Sequence, residues 1–302
     1  MEYHRPVMVE EVLRFLIQNK DGFYIDATFG GGGHSQAILN NLSENGYLLG
    51  IDQDEDAQLQ AAKIKSKNFS FCLQNFEHLE EIAKKLGIES RVEGILADLG
   101  VSMHQLKKQS RGFSFQGDSL LDMRMSKVGD KDAKYILNTY SYYELVRIFR
   151  DYGELPNAAA IAKAIVEYRQ KQPICSTQEL NDCLKKILPP FNDWKVLAPI
   201  YQAIRIEVNE ELRVLQKFLE GALAVLRKGG ILVVISYHSL EDRLVKKFLQ
   251  SGNFEGIVSK DFFGKPLLPW KVLTRKPITP SPQEVMCNPS ARSAKLRAAI
   301  KL

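Results

Sequence analysis

Four consecutive glycines that follow a short apolar strand restrict the fold of this chain more than any other feature. Residues 23–34 read FYIDATFGGGGH: the β-favouring residues end at Asp26, Gly30 to Gly33 carry no side chains, and helical spacing resumes at His34. Such a unit lets the backbone approach a ligand closely and offers N–H groups at a helix start. A flexible loop is the alternative, but four glycines cost backbone entropy, so the pattern favours a site for an anionic group.

Two further apolar runs also end at an acid. Residues 47–52 (YLLGID) end at Asp52, about 20 residues beyond the glycines, and residues 94–100 contain Asp98. Ligands of open parallel sheets lie beyond the carboxyl ends of the strands, so we expect Asp26, Asp52 and Asp98 to converge there. An acid at the position of Asp52 commonly accepts hydrogen bonds from a ribose diol. Phe76, after a third strand over 68–73, is predicted either to lie against an adenine ring or to belong to the core.

The strand pattern stops after residue 100 and resumes at 229–236. A crossover between parallel strands needs far fewer residues, so the sequence predicts an inserted subdomain. The insertion is mostly helical, with prolines such as Pro199 as breaks, and a long amphipathic helix over 208–226 returns the chain to the sheet. We therefore predict an α/β fold in which a sheet domain, 1–104 and 209–302, surrounds a mostly helical subdomain, 105–208.

The net charge of +5 is concentrated near the C-terminus, where residues 255–302 carry nine Lys/Arg and three acids. This excess suggests a polyanionic partner, although a merely soluble surface is an alternative. The four cysteines show no zinc-ligand spacing, which predicts no metal site and a reduced compartment. The first residues do not form a signal peptide and no apolar run is long enough to span a membrane, so we expect a cytoplasmic protein without a membrane partner.

Two classes of nucleotide-type sheet compete at this point. A nicotinamide dehydrogenase normally has the pattern GxGxxG, but its third glycine is missing here, where Gln36 or its neighbours stand. An acid that ends the first strand before a glycine turn instead resembles S-adenosylmethionine-dependent methyltransferases. In that class the turn and helix start can hold the methionine carboxylate, while Asp26 and Asp98 face the ammonium and sulfonium groups.

Longer motifs narrow the class further. They are DATFGGGGHS (26–35), DLGVS (98–102), RGFSF (111–115), LDMRM (121–125), YQAIRIEVNEEL (201–212), ISYHSLEDRLVKKF (235–248) and NPSARSAKLR (288–297). Together they closely resemble the MraW/RsmH family, the bacterial methyltransferases that modify N4 of a cytidine in 16S ribosomal RNA. The resemblance covers nearly the whole chain. It implies a Rossmann-like class I methyltransferase sheet domain, S-adenosyl-L-methionine as cofactor, and 16S rRNA in the decoding region of the small ribosomal subunit as partner.

The resemblance also implies a set of cofactor contacts at the positions of this chain that match the family's motifs. These are Gly32, Gly33, His34, Asp52, Phe76, Asp98 and Gln105. The chain departs from the usual family pattern at three places. The first is Met103-His104, next to Gln105; the second is Leu155 and the third is 197–199, both in the insertion. The first affects the loop beside the cofactor, and the other two concern RNA docking.

Residues 98–101 read DLGV, so the Asn/Asp-Pro-Pro-aromatic motif of many amino-methyltransferases is absent. Asp98 is the first candidate to lie near the reacting amine. Tyr237 and His238 are the second: Tyr237 could stack on the base, and His238 could bond the base or a phosphate, or simply begin a helix beside a Ser239 cap. Asn209 is a weaker candidate.

For RNA binding, Arg111, Phe113 and Arg124 combine cations with aromatic rings near the expected mouth of the site, together with Phe115. Arg292 and Arg297, with Lys295, add charge near the C-terminus. The phenylalanines could equally pin the insertion to the sheet domain. A binding or assembly factor that keeps the fold without catalysis is the alternative to the enzyme, but the intact glycine loop and the three acids favour the methyltransferase.

Overall fold

The computed structural model describes residues 6–101, 111–126, 129–189, 191 and 193–302. The chain divides into two compact units. Met1–Gly100 with Leu212–Leu302 forms the sheet unit, and Val101–Glu211 forms the helical unit. The contacts within the chain therefore place the boundaries at 100/101 and 211/212, where the sequence predicted 104/105 and 208/209.

The sheet unit is built on seven strands in the order β3-β2-β1-β4-β5-β7-β6. The first five strands are parallel, and β7 is antiparallel to both β5 and β6. The strands are β1 Phe23–Asp26, β2 Tyr47–Asp52, β3 Phe69–Leu73, β4 Val92–Asp98, β5 Leu226–Ser236, β6 Trp270–Val272 and β7 Lys295–Lys301. The strand order reverses between β1 and β4, which is the point where such sheets bind ligands. The predicted α/β class is confirmed.

The described residues form twelve α-helices, seven in the sheet unit and five in the helical unit. They are α1 Val9–Leu16, α2 Gly33–Leu39, α3 Glu55–Ala61, α4 Leu79–Leu86, α5 Ala133–Thr139, α6 Tyr142–Asp151, α7 Ala158–Arg169, α8 Thr177–Leu184, α9 Trp194–Asn209, α10 Glu211–Val225, α11 Ser239–Ser251 and α12 Pro282–Cys287. In the described part of the chain, none of these helices combines the length and the apolar character that crossing a membrane requires.

Both faces of the sheet are covered, which explains why its central strands are almost continuously apolar. Ile25 and Ile95 lie in one core with residues of α4, α10 and α11, and Tyr24 and Leu96 lie in a second core with α1. Parallel pairing places β1 between β2 and β4. The ends of these three strands are therefore held at one edge of the sheet.

The helical unit has a separate apolar core, which includes Ile136, Phe149, Ile161 and Ile204. Two of its helices begin with a capping box, in which a serine side chain and a glutamate three residues later satisfy each other's backbone N–H groups. Ser141 with Glu144 starts α6, and Ser176 with Glu179 starts α8. These local signals explain why the helical reading of the insertion is correct.

Two sequence expectations in this region are wrong. The helix predicted over 208–226 is two helices, because Glu210 adopts a left-handed conformation with φ +49° between α9 and α10. Residue 226 already belongs to β5. Pro199 lies inside α9 instead of ending a helix. The carbonyl that it leaves without its helical donor belongs to Lys195 in the exposed first turn, where water can bind it, so the helix continues.

Candidate functional site

Three carboxylates lie at one edge of the sheet, at the ends of the adjacent strands β2, β1 and β4. Asp26 is paired in register with Gly50 of β2 and Leu96 of β4. Asp52 and Asp98 each lie two residues further along, so they extend beyond Asp26 at the switch point. The register alone therefore brings the predicted acids to the same edge.

The glycine loop is tied to the end of β2. Gly30 N donates to Asp52 Oδ2 at 2.7 Å, and Asp54 N donates to the other carboxylate oxygen at 2.9 Å. Gly30 and Gly32 have φ values of +53° and +78°, which are costly for residues with a side chain. Asp52 thus sets the shape of the loop as well as lying at the sheet edge. Burial raises the pKa of Asp52 to about 6.

Asp26 is fully buried, which corrects its predicted role as a direct cofactor contact. Its carboxylate accepts hydrogen bonds from Ser35 Oγ at 2.7 Å and from Thr28 N at 3.3 Å. Burial raises the pKa of this carboxyl group, because no water reaches it to stabilise the charged form. Asp26 therefore anchors the two ends of the glycine loop instead of facing a ligand.

Asp98 is the acid whose position is most closely controlled. Tyr237 donates its hydroxyl proton to Asp98 Oδ1 at 2.8 Å, and Asp98 N donates to Thr28 Oγ1 at 2.6 Å. The His34 ring lies on the other side of the carboxylate, with its Nδ1 3.6 Å from Asp98 Oδ2. Its Nε2 lies 2.8 Å from Val7 O. The carboxylate is about one-fifth exposed. It is thus oriented by the chain yet open to a ligand.

Tyr237 acts on Asp98 in this structure. Burial, followed by the negative charge of Asp98, raises the pKa of the Tyr237 phenol well above its usual value. The phenol therefore stays neutral and remains a hydrogen-bond donor. Since its hydroxyl is committed to Asp98, we describe Tyr237 as a positioning residue. Stacking of its ring on a base stays a prediction.

His238 takes the helix-start role that the sequence left open. It is itself the cap of α11, which corrects the expectation that Ser239 is the cap. Its Nδ1 accepts from Glu241 N at 3.4 Å, while Glu241 Oε2 accepts from Tyr237 N at 2.8 Å and His238 N at 3.3 Å. These reciprocal bonds form a capping box and support a structural role for the imidazole.

Phe76 and Gln105 are two further residues that were predicted to contact the cofactor. Phe76 packs edge-on against Phe218, with ring centroids 5.0 Å apart, and contacts the sheet core. This packing favours the core alternative for Phe76. Gln105 lies outside the described residues, together with Met103 and His104.

Arg111 and Phe113 are buried inside the helical unit, which corrects their prediction as RNA contacts. The Arg111 guanidinium donates to the carbonyl oxygens of Arg124 and Met125 at 2.6 and 2.8 Å. The ring of Phe113 belongs to the apolar core of the unit. Arg124 is partly exposed and forms two hydrogen bonds with Asp122, at 2.7 and 2.9 Å.

Of the two C-terminal arginines predicted to contact RNA, one is buried and the other is exposed. Arg297 on β7 is 5% exposed and forms a bidentate ion pair with Asp242 on α11, at 2.6 and 3.1 Å. This burial corrects its prediction as an RNA contact. Arg292 is exposed on a short 3₁₀ turn, Pro289–Ser293, and remains available to a polyanion.

The sequence pattern did not indicate Thr28 and Ser35, two residues that hold the acids of the site in place. Thr28 and Ser35 use their hydroxyls on Asp98 and Asp26, as described above. Asn209 fixes the 121–125 segment: its side chain accepts from Met125 N at 2.7 Å and donates to Met123 O at 2.8 Å. The available signal was the presence of hydroxyl residues on both sides of the glycines. The sequence named Asn209 only as a weaker candidate near the amine, and it could not indicate this structural role because the hydrogen-bond partners lie more than 80 residues away.

A sheet of five parallel strands followed by an antiparallel β7, with this switch point, glycine loop and set of carboxylates, is typical of the class of S-adenosylmethionine-dependent methyltransferases. A model of the MraW methylase family matches residues 1–302. The ribosomal RNA small subunit methyltransferase H of Flavobacterium johnsoniae is 49% identical over 302 residues, covering 100% of this chain and 99% of that protein. The protein of the same name from Amoebophilus asiaticus is 47% identical over 295 residues, covering 98% and 94%.

The chain belongs to the MraW methylase family. The resemblance identified in the sequence is thereby confirmed, as is the enzyme class, and the alternative of a factor without catalysis is set aside. The residues present fit the cofactor of this class. A sulfonium, an ammonium and a ribose diol call for carboxylate partners, and Asp52 and Asp98 supply them beside a loop without side chains.

Replacing Gly32 by alanine is expected to weaken cofactor binding by at least about tenfold. The added Cβ would lie 2.7 Å from Phe29 Cζ, and Phe29 is buried against Phe69 and Phe71, so the ring cannot move aside without disturbing the loop. Titration calorimetry with S-adenosylhomocysteine measures the effect.

Gly87→Ala is the matched control. Gly87 also has a positive φ, +63°, but an added Cβ meets nothing within 4 Å. This variant should lose only about 1–2 kcal/mol of stability, from the left-handed conformation, and bind the ligand normally. Equal affinities for the two variants would contradict the role assigned to the Gly32 contact.

Proposed function

We propose that this chain transfers a methyl group to N4 of a cytidine in 16S rRNA, in the decoding region of the small ribosomal subunit. The observation that carries the proposal is the Asp98 carboxylate, held by Tyr237 and backed by Thr28 at the switch point of a methylase sheet. The names of the relatives, which are small-subunit rRNA methyltransferases, support the substrate class. The proposed substrate places the reaction in the cytoplasm.

The exocyclic amine of cytosine is a weak nucleophile because its lone pair is delocalised into the ring. S-adenosylmethionine supplies an electrophilic methyl group when it is bound. The contribution of this chain is alignment, for which proximity alone is worth on the order of 7–11 kcal/mol. We assign to Asp98 the acceptance of hydrogen bonds from the N4 protons as positive charge develops on the amine. Tyr237 holds the carboxylate in place for that role.

Asp52 is proposed to accept hydrogen bonds from the ribose hydroxyls. Each of its oxygens already takes one backbone N–H, which leaves a further lone pair on each for a ligand. Gly32, Gly33 and the backbone of His34, whose ring is buried, complete the proposed cofactor surface. The insertion, 105–208, is proposed to recognise RNA through a surface that includes the partly exposed Arg124, which is already paired with Asp122. In the sheet unit, the exposed Arg292 is proposed as a separate RNA contact.

Cofactor binding should weaken as the pH falls through 6. Asp52 has a pKa raised to about 6 in the folded protein, so its carboxylate is mostly ionised at pH 7 and mostly protonated at pH 5. If the ribose binds the ionised form, the apparent Kd of S-adenosylhomocysteine rises about tenfold between these pH values. Titration calorimetry across the range measures it.

Asp52→Asn is the control for the pH profile. An amide cannot titrate, so the variant should bind weakly at every pH and lose most of the dependence. A wild-type affinity that stays constant from pH 7 to pH 5 would contradict the ribose role of Asp52.

The proposed reaction is tested on small subunits isolated from cells that lack the modification. Incubation with methyl-labelled cofactor, nuclease digestion and mass spectrometry should give N4-methylcytidine at one position of 16S rRNA. Subunits that already carry the modification serve as the control and should accept no label. Label on a ring carbon or on a ribose would refute N4 chemistry while leaving rRNA methylation intact.

A further inference from the structure

A short, well-formed hairpin lies between α11 and β6 and takes no part in the site described above. We call residues 259–267 the aromatic hairpin. Leu267 N donates to Ser259 O at 2.8 Å, and Asp261 N donates to Lys265 O at 2.9 Å. The Asp261 carboxylate accepts from Phe263 N at 2.9 Å and from Lys265 N at 2.8 Å. The turn is therefore held by its own backbone and by one acid.

The tip of the aromatic hairpin exposes two large apolar rings. Phe262 is 97% exposed and Phe263 is 90% exposed, and the rings contact each other edge-on with centroids 5.6 Å apart. Neither ring contributes to a core of the sheet unit. Two adjacent phenylalanines on an ordered turn are costly for solubility, so their exposure points to a binding role.

The charge around the tip identifies the kind of partner. Lys260 and Lys265 are exposed on the two sides of the turn. The one acid of the hairpin, Asp261, is committed to backbone N–H groups. Between residues 259 and 276 the chain carries five Lys/Arg and this single acid. Exposed rings between cations match unpaired nucleic acid, whose bases stack on aromatic side chains while its phosphates attract lysines.

The aromatic hairpin lies away from the three acids. Trp270, at the start of β6, pairs with Lys301 at the end of β7, and β7 pairs with the early part of β5 at Ile231. The chain therefore reaches β6 at the edge where the parallel strands begin, opposite the edge where Asp98 lies. From Ile231 to Ser236 the sheet spans about 16 Å. A partner at the hairpin is thus not the target nucleotide.

We propose that the aromatic hairpin is a second RNA contact, in which Phe262 and Phe263 stack on unpaired bases of the substrate and Lys260 and Lys265 bind the adjoining phosphates. This inference rests on the proposed function for the identity of the substrate. It adds an anchor for the RNA that lies outside the cofactor site and serves affinity, not chemistry.

The test uses the full chain and a fluorescent oligouridylate of about 12 nucleotides, a length typical of single-strand sites. Fluorescence anisotropy should show that the double variant Phe262→Ala/Phe263→Ala binds at least about tenfold more weakly than the wild type. Phe262→Tyr/Phe263→Tyr should restore binding, because tyrosine also stacks. Both positions are exposed, so unfolding temperatures should be unchanged.

The control is Leu86→Ala. Leu86 is 54% exposed at the end of α4, also at the edge where strands begin, and has no cation–aromatic cluster. This variant should bind RNA like the wild type. In a separate pair, Lys260→Gln/Lys265→Gln should reduce the slope of log K against log salt by about 1.4, the value for two phosphate contacts on a single strand.

Unchanged oligouridylate affinity in the double alanine variant would overturn the proposal. So would a result in which this variant changes only self-association in sedimentation experiments, because the tip would then bind a second copy of the chain. On small subunits the variant should raise KM and keep kcat. Failure of the proposed function would instead appear as no N4-methyl product with either protein, whereas oligouridylate binding is measured without methyl transfer.

Discussion

Replacing Asp98 by alanine is expected to lower the rate of methyl transfer by about 10³-fold while the protein stays folded. Tyr237 orients the carboxylate and Thr28 holds the backbone of Asp98, so alanine removes an acceptor that is fixed in position and only about one-fifth exposed. Single-turnover methylation of undermethylated small subunits, at saturating cofactor, measures the rate. Circular dichroism and the unfolding temperature verify the fold.

The test separates two roles for Asp98. If the residue acts only on the cofactor, Asp98→Ala raises the Kd of S-adenosylhomocysteine and a higher cofactor concentration restores the rate. If it acts on the amine, the rate stays low at saturation. Tyr237→Phe is the matched variant, because it removes one hydroxyl and keeps the ring, and we expect a loss of about tenfold through a less well-oriented carboxylate. Full activity of Asp98→Ala together with an unchanged Kd for S-adenosylhomocysteine would contradict both roles.

Asp242→Ala is expected to destabilise the protein by about 3–5 kcal/mol. The change leaves the Arg297 guanidinium, which is buried between β7 and α11, without its bidentate partner. Arg297→Ala should be similarly harmful, since Asp242 would keep, among the described residues, only the ion pair with Lys295, whose Nζ lies 3.8 Å away. For a protein of this size we expect a fall of about 5–8 °C in the unfolding temperature. Differential scanning calorimetry measures it.

Arg292→Ala provides the control in the same sequence motif. Arg292 is exposed, so the change should alter stability by less than about 0.5 kcal/mol. Replacing the buried pair together, by Arg297→Met with Asp242→Leu, should recover much of the loss, because no charge is left buried alone. If Arg297→Ala left the unfolding temperature unchanged and weakened RNA binding, the original RNA role of this arginine would be restored.

Arg292 and Arg297 differ in burial although they lie five residues apart in the sequence. Both arginines stand in one basic motif, and composition indicates only that a polyanion could bind there. The side chain of Arg297 finds Asp242, 55 residues away along the chain, and is buried by that pairing. Arg111 and His238 follow the same rule: Arg111 binds two carbonyl oxygens of its own unit and His238 caps a helix, so their charge and chemistry serve the fold.

The sequence by itself determined the features that depend on neighbouring residues: the strands over 23–26 and 47–52, the glycine turn, the acids at the strand ends and the helical character of the insertion. Apolar spacing, glycine conformational freedom and capping residues act over a few positions, so they can be read along the chain. Only the tertiary structure decided that Asp26 is buried while Asp98 is open, that Tyr237 holds Asp98, and that the helix predicted over 208–226 breaks at Glu210. Burial, ion pairing and backbone strain depend on residues brought together from distant parts of the chain, so a local sequence pattern cannot predict them.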